Sequence, residues 1–563
     1  MNPSTVLKLS GAEALVRSLN MFRVKDIFGL PGNQLRFYDA LQRDGSIRHI
    51  LVRHEQAAAH MADSYARATG RVGVCEASAG PGSSNLVTGI AEAYASSIPV
   101  VAITTTTRST VSGRANFQEL DLENLFRPIA KRVLSIDRAA RIPEVVKRAF
   151  RIASSGTPGP VVIVLPADVH ADEAVFHQHE FLIAGQEGQW PAHRISPVNG
   201  SVQHVVELLE QARRPLLWAG GGVLSSGAEH LLVKFAETMG IPVVTTYMGK
   251  GAIRETHPLA VGPVGQIGRP STNEFVAKAD LVIAIGTRFT NLDTANWTLP
   301  ARDARIVHVN IDPEEIGRHF EVELGIWSDA KVFLQSLSDH CAVRQWREWS
   351  VAGEAETIAS DWRRERGPES ALANRIEPGA VHPLQAMRAL QRCLRPDDVL
   401  VCDSGFNQIW GGQYYETQET GRRYIGPRGM GVMGFSLPAA IAGRIANPDR
   451  RYVALCGDGG FMMLLHELET SVREKAPVVV CVLNNRNLEY CSQIQQSIGG
   501  LPFSTSMMDT DFAQVALGLG CLGVRVDDAG ALELALQEAL TKPVTTVIDV
   551  VTPSSAMPDG VAL

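Results

Sequence analysis

The stretch RYVALCGDGGFMMLLHELETSVREKAPVVVCVLNN, residues 451–485, decides the fold. An apolar run over 452–456 stops at Gly457-Asp458-Gly459-Gly460. A helical pattern over 461–475 follows, and a second apolar run, 478–483, stops at Asn484-Asn485. Two short apolar runs joined by a helix predict a β-α-β unit, whose right-handed crossover puts both strand carboxyl ends on one edge of a parallel sheet. That edge is where open α/β sheets bind ligands. Asp458 and Asn485 then bring two hard oxygen donors to one place, which suits Mg²⁺ or Ca²⁺ better than zinc. Magnesium completes its shell with phosphates and water. Gly459 and Gly460 open the helix and let backbone N–H groups approach an anion at its positive end. Either short motif alone is turn chemistry. Together, at the two ends of one unit, they predict a diphosphate clamped through a divalent cation.

Outward from this unit, short Val- and Ile-rich runs alternate with helical stretches along the whole chain. This is the pattern of parallel sheets covered by helices. The expectation is α/β, with three doubly wound parallel-sheet domains at 1–185, 198–340 and 381–553. Residues 170–200 lose periodicity and read as a linker. The polar stretch 341–380 reads as a solvated helical connector.

The 563 residues are too many for one core, and 45% apolar with 20% charged residues describes an ordinary globular protein. A thinly spread net charge of −7 argues against nucleic acid or an anionic membrane as partner. No apolar run reaches the ~18 residues of a membrane span. The N-terminus resembles an amphipathic helix rather than a signal peptide. The eight cysteines are scattered without a C-x-x-C pair, as expected of buried thiols in a reducing, cytoplasmic setting. A second phosphate motif, GMGVMG at 429–434, fits G-x-G-x-x-G. It follows GRRYIGPR instead of a buried strand, so a dinucleotide dehydrogenase is the weaker reading.

The GDG–helix–strand–NN arrangement resembles the signature of thiamine diphosphate (ThDP) enzymes. RHEQAAAHMADSYARATG (53–70) resembles the pyrimidine-binding domain of the acetolactate synthase family, as do FGLPGNQ (28–34) and SAGPGSSNLVTGIAEAYASSIPVVAIT (78–104). GMGVMGFSLPAAIAG (429–443) and CDSGFNQIWGGQYY (402–415) are similar to segments that hold the coenzyme. The resemblance implies pyrimidine-binding, central and diphosphate-binding domains. It implies Mg²⁺ contacts from the Asp458 and Asn485 side chains and the Asn487 carbonyl, with Gly405, Asn407, Gly459 and Gly460 about the diphosphate. It makes Glu55 the carboxylate on N1′ of the aminopyrimidine, the Gly431 carbonyl the acceptor for the 4′-amino group, and Met433 the apolar wedge that bends the cofactor. ANFQELD (115–121) makes Phe117 and Gln118 pocket residues, Gln118 among the catalytic ones, with Gly32 and Asn33 toward the substrate. Lys131 and Arg288 fall where the family keeps cations near FAD or the second substrate. From the residues alone, Glu55 is a first-turn glutamate favoured by the helix dipole, Met433 is core packing, and the two cations form ordinary ion pairs. The family builds its active site from two subunits, which implies a homodimer with shared sites, often paired into a homotetramer.

The shared chemistry is decarboxylation of a 2-oxo acid on the cofactor, which serves as electron sink. The leading expectation is a C–C lyase or carboligase that passes the activated aldehyde to a carbonyl acceptor. Alternatives are a non-ligating decarboxylase, an oxidase and a non-catalytic cofactor binder. The chain has no His-His pair, the proton relay of pyruvate decarboxylases. After the Asn pair it reads LEYCSQIQQSIGG (488–500), with Ser492 and Ile494 where acetolactate synthases carry an Arg and a Trp, so an altered acceptor pocket is expected. In the central domain GPVGQIG (262–268) replaces a Met-His-Gly segment and Asn310 an acid. FAD is therefore admitted there but not required, and Gly220-Gly221-Gly222 alone reads as a turn.

Overall fold

The computed structural model describes residues 6–183, 189–366, 377–554 and 556–558. It contains three six-stranded sheets, each with all its strands parallel. The first runs Arg48–Leu51, Asp26–Gly29, Gly73–Ala77, Val100–Thr106, Val161–Pro166, Arg132–Ser135 across its width. The second runs Ala260–Pro263, Val243–Thr245, Pro215–Ala219, Leu281–Ile285, Arg305–Asn310, Leu324–Trp327. The third runs Tyr424–Ile425, Val399–Cys402, Tyr452–Gly457, Val479–Asn484, Thr546–Val551, Leu522–Val526. Central strands such as Leu281–Ile285 and Val479–Asn484 are buried throughout, as strands covered on both faces must be.

In each sheet the order reverses beside the sheet's first strand in the chain, the switch point beyond whose strand ends open α/β sheets form a crevice. In the first it lies between Gly29 and Ala77, in the second between Ala219 and Ile285, and in the third between Cys402 and Gly457. The expected β-α-β unit is present, with strands one residue beyond the sequence reading at their ends. Its helix differs: it begins at Asp458 and is interrupted at 465–466, giving Asp458–Leu464 and Glu467–Arg473.

Two expectations need correction. The stretch read as a linker contains the strand Glu173–His177, which pairs antiparallel with Val6–Ser10 and buries Phe176. The stretch read as a solvated connector contains the helix Val351–Arg366. Val351, Ala355, Ala359 and Trp362 are buried along one side of it, and the Arg269 guanidinium lies 5.0 Å over the Trp362 ring. Glu356 and Arg364 of the same helix are exposed. Residues 184–188 and 367–376 of these two stretches lie outside the described residues.

The chain divides into two compact units. One comprises Met1–His193, Pro427–Asp449 and Met463–Val478; the other comprises Arg194–Gly426, Arg450–Met462 and Val479–Leu563. Within the first, the helix Ser436–Ala446 packs along the helix Glu55–Thr69. The Ser64 hydroxyl donates to the Ala439 carbonyl at 2.7 Å, and His60 meets Phe435 edge-on. Burial pushes His60 down to about 3, so it is a neutral packing residue.

Candidate active site

In the first unit the residues singled out from the sequence gather around the loop 78–82. Glu55 opens the helix Glu55–Thr69, where the dipole favours a carboxylate, and it is only 5% exposed. His54 caps that helix, its Nδ1 accepting from the Gln56 amide at 3.1 Å. Asn85 Nδ2 donates to Glu55 Oε2 at 3.0 Å. A Cβ on Gly82 would lie 3.1 Å from Glu55 Oε1 and 2.4 Å from Ser78 Oγ, so a bare backbone there lets the loop close on the carboxylate. Asn33 Oδ1 accepts from the Ala79 amide at 3.1 Å, and Gly32 lies directly against Ser78. Gly80 has φ +62°, and a side chain there would meet Gln118 at 3.0 Å. The loop thus collects Glu55, Gly32, Asn33 and Gln118, while Phe117 beside it is 84% exposed.

Lys131 is placed elsewhere. Its ammonium donates to the carbonyls of Ile152 and, at 2.9 Å, Ser155, at the end of the helix Ile142–Ser154. A cation there satisfies orphan carbonyls and the negative helix end. The sequence reading missed Asn85 and a buried network behind Gly32. In that network the Glu76 carboxylate accepts from Gln34, from Tyr38 at 2.5 Å, and faces His49 Nε2 at 3.0 Å. Burial and the Glu76 charge hold the Tyr38 phenol far above its usual range. The one sequence signal was a glutamate inside an apolar strand, GVCEA.

In the second unit the crevice of the third sheet holds the other set. Asp458 stands at the end of Tyr452–Gly457 and is 5% exposed. Its Oδ1 accepts from the Gly459 amide at 2.8 Å and its Oδ2 from the Arg486 amide at 2.6 Å. Burial pushes its carboxyl up to about 6, against the pull of these amides, and Asp549 adds to the rise. Among the described residues no lysine or arginine pairs with it. Asn485, past the end of the next strand, accepts from the Asn487 amide at 3.1 Å. Asn487 Nδ2 donates to Glu489 at 2.7 Å, which leaves the buried Asn487 Oδ1 with no hydrogen-bond partner. A buried carboxylate without a counter-ion, beside an orphaned amide oxygen, fits a hard divalent cation such as Mg²⁺.

Across the same crevice, Gly405 (φ +88°) opens the helix Phe406–Tyr414. Asn407 lies against Gly457, its Nδ2 bonded to the Ser404 carbonyl at 3.2 Å. Gly459 and Gly460 form the first turn of the helix that starts at Asp458, and a Cβ on Gly460 would lie 3.0 Å from Asp403 Oδ1. Gly431 (φ +69°) and the half-buried Met433 belong to the first unit, in the loop before Ser436–Ala446.

The crevice of the central sheet has different contents. A Cβ on Gly220 would lie 2.2 Å from the Gly286 carbonyl oxygen, so these glycines let two connections pass each other. Asn310 donates to the Thr287 carbonyl at 2.7 Å and accepts from the Asp312 amide at 3.0 Å, so its amide serves the protein's own backbone. Arg288 follows the strand Leu281–Ile285 at the same edge. Chain packing accounts for the glycine run.

Comparison with known proteins agrees with this division. Residues 9–125 match the thiamine pyrophosphate enzyme N-terminal TPP binding domain, 202–337 the central domain, and 403–550 the C-terminal TPP binding domain. The acetolactate synthase large subunit of Parasynechococcus marenigrum is 38% identical over 96% of this chain and 87% of its own length. The acetolactate synthase isozyme 3 large subunit of Escherichia coli is 36% identical over 94% and 92%. The acetolactate synthase large subunit of Corynebacterium glutamicum is 35% identical over 94% and 85%.

Proposed function

Because the chain belongs to the thiamine pyrophosphate enzyme family, we propose that it is a Mg²⁺-dependent carboligase, decarboxylating a small 2-oxo acid and transferring the resulting unit to a carbonyl acceptor. The observation that carries the cofactor half of this reading is Asp458, a buried carboxylate at a strand end with no counter-ion among the described residues, held by the amide of Arg486 between Asn485 and Asn487. Asp458, Asn485 and the Asn487 carbonyl would hold the metal, and Gly405, Asn407, Gly459 and Gly460 the diphosphate. When bound, thiamine diphosphate supplies an acidic thiazolium carbon and an electron sink.

The remaining tasks fall to the chain. Glu55, oriented by Asn85, holds or takes a proton at the pyrimidine nitrogen; a positioned carboxylate of this kind contributes about 10²–10⁴-fold. The Gly431 carbonyl would accept from the 4′-amino group, and Met433 would offer the cofactor an apolar support. Gln118, held against Gly80, faces the substrate, with Gly32, Asn33 and Phe117 lining its approach. Arg288 offers a planar fork to an acceptor carboxylate. Ser492, 2% exposed, and the half-buried Ile494 occupy the helix after the Asn pair, where acetolactate synthases carry Arg and Trp, and this supports a changed acceptor preference.

The working form is a homodimer with shared sites. It is supported by the apolar surface that Phe117 and Met430 (62% exposed) leave beside the two cofactor-facing loops. Among the described residues no helix is long and apolar enough to cross a membrane.

The test is to supply the purified chain with thiamine diphosphate, Mg²⁺, and 2-oxo acids paired with aldehyde or 2-oxo acid acceptors, with FAD present or absent. A ligated ketol product that disappears on chelation and returns with Mg²⁺ is expected. Free aldehyde with no ligated product would replace the carboligase by a simple decarboxylase.

A further inference from the structure

Two glutamates of the first unit are fully buried, with no lysine or arginine paired to them among the described residues. Glu92 lies on the helix Val87–Ala95 and is 0% exposed. Its Oε1 accepts from the Gly429 amide at 2.9 Å and the Ser96 hydroxyl at 2.6 Å, and its Oε2 accepts from the Met430 amide at 2.8 Å. Glu467 opens the helix Glu467–Arg473 and is also 0% exposed. Its Oε1 accepts from the amides of Arg53 at 2.9 Å and His54 at 3.2 Å, and its Oε2 from the Thr470 hydroxyl at 2.6 Å. Burying a carboxyl group costs several kcal/mol unless its oxygens are satisfied. Here both are satisfied chiefly by backbone amides of a segment distant in sequence.

The two contacts are reciprocal. Glu92 belongs to the segment that carries Glu55, and it holds Gly429 and Met430, which lead into Gly431 and Met433. Glu467 belongs to the later segment, and it holds Arg53 and His54, which lead into Glu55. Resting on the thiamine diphosphate reading, we propose that Glu92 and Glu467 are a pair of positioning residues, each fixing the backbone that presents the other segment's cofactor-facing group.

At Glu92 the geometry requires a carboxylate. The Glu92 site places its two amide donors on separate oxygens, so a glutamine there would offer one acceptor oxygen while turning its own N–H₂ toward the second donor. At Glu467 both amides meet Oε1, and removal of that oxygen is what breaks the clamp. An alkyl side chain would orphan both amides. Gly429 tightens the first clamp, since a Cβ there would lie 2.6 Å from the Ser96 nitrogen. Displacement of about 1 Å in a reacting group can cost ~10²-fold in rate, so loss of either clamp should register in the proton step.

The test uses Glu92→Gln and Glu467→Leu in the full chain, loaded with thiamine diphosphate and Mg²⁺. Exchange of the bound cofactor's C2 proton for deuterium is followed by quenched-flow NMR at saturating cofactor, beside thermal unfolding. Slowing of tenfold or more in each folded variant is expected, with cofactor still bound. Wild-type exchange in variants that are merely less stable would overturn the proposal. Should a variant not fold, hydrogen exchange of the native chain decides: the amides of Arg53, His54, Gly429 and Met430 should be protected like helix interiors, and open-loop exchange there would overturn the clamps. A native chain that binds no thiamine diphosphate would defeat the proposed function instead, and the amide measurement would still judge the clamps.

Discussion

Asn85 Nδ2 donates to Glu55 Oε2 at 3.0 Å, and Asn85 ends the short helix Pro81–Asn85 that follows the Gly80 turn. The Glu55 carboxylate is thus oriented by the same loop that carries Gly80 and Gly82. Glu55→Gln should lower turnover by about 10²–10⁴-fold while thiamine diphosphate still quenches tryptophan fluorescence on titration. Asn85→Ala removes one hydrogen bond to a charged group, a loss of about 1.5–3 kcal/mol, and should fall between the two in steady-state kcat.

Gly80→Ala should cost about 1–3 kcal/mol for its backbone alone, since φ +62°, ψ −112° is a region L-residues rarely adopt, and more from the contact with Gln118 at 3.0 Å. Urea unfolding measures the stability, and kcat/KM should fall because Gln118 is displaced. Gly45→Ala is the control. Gly45 has φ +67° and nothing within 4 Å of an added Cβ, so it should lose similar stability with unchanged activity.

Burial raises the Glu467 carboxyl from 4.5 to about 7, offset in part by Thr470 and by the amides and charge of Arg53 and His54. His466, 3.8 Å away, is itself held below its usual value by burial and by the charges of His54 and Arg53. Between pH 4.5 and 7 the folded chain keeps a proton that the unfolded chain has released. The group's contribution is therefore full below about pH 4.5 and is lost as pH rises to about 7. Urea unfolding of the cofactor-free chain at pH 5, 6, 7 and 8 should show this slope. Glu467→Gln should flatten it by roughly 1–3 kcal/mol.

Shared sites predict complementation. Glu55→Gln and Asp458→Ala, each inactive alone, should regain about a quarter of native activity when co-expressed, because half of the dimers are mixed and each mixed dimer has one intact site. Mixed dimers with no activity would place each site within one chain.

The alternation of Val- and Ile-rich runs with helices was enough to read three parallel sheets, and GDG ends the strand that flanks the order reversal of the third, with NN at the end of the strand next to it. What stayed hidden was set by non-local partners. The strand Glu173–His177 is legible only with Val6–Ser10 beside it, some 160 residues earlier in the chain. The buried side of Val351–Arg366 was present at helical spacing in Val351, Ala355, Ala359 and Trp362, but the surrounding charges masked it. The carbonyl partners of Lys131, 21 and 24 residues away at a helix end, were not legible because such an end has no sequence signature as an acceptor. Glu92 and Glu467 were invisible for the same reason: backbone amides are identical at every residue, so a side chain that binds them leaves no complementary letter.

The packing of Ser436–Ala446 along Glu55–Thr69 has an evolutionary consequence. Recombination that respects the apparent sequence domains would sever a body assembled from three separate stretches. A functional chimera exchanging the N-terminal part of this chain would have to transplant 427–449 and 463–478 with it. Inheritance of the two cofactor-facing loops is therefore coupled, and drift in one restricts which changes the other can accept.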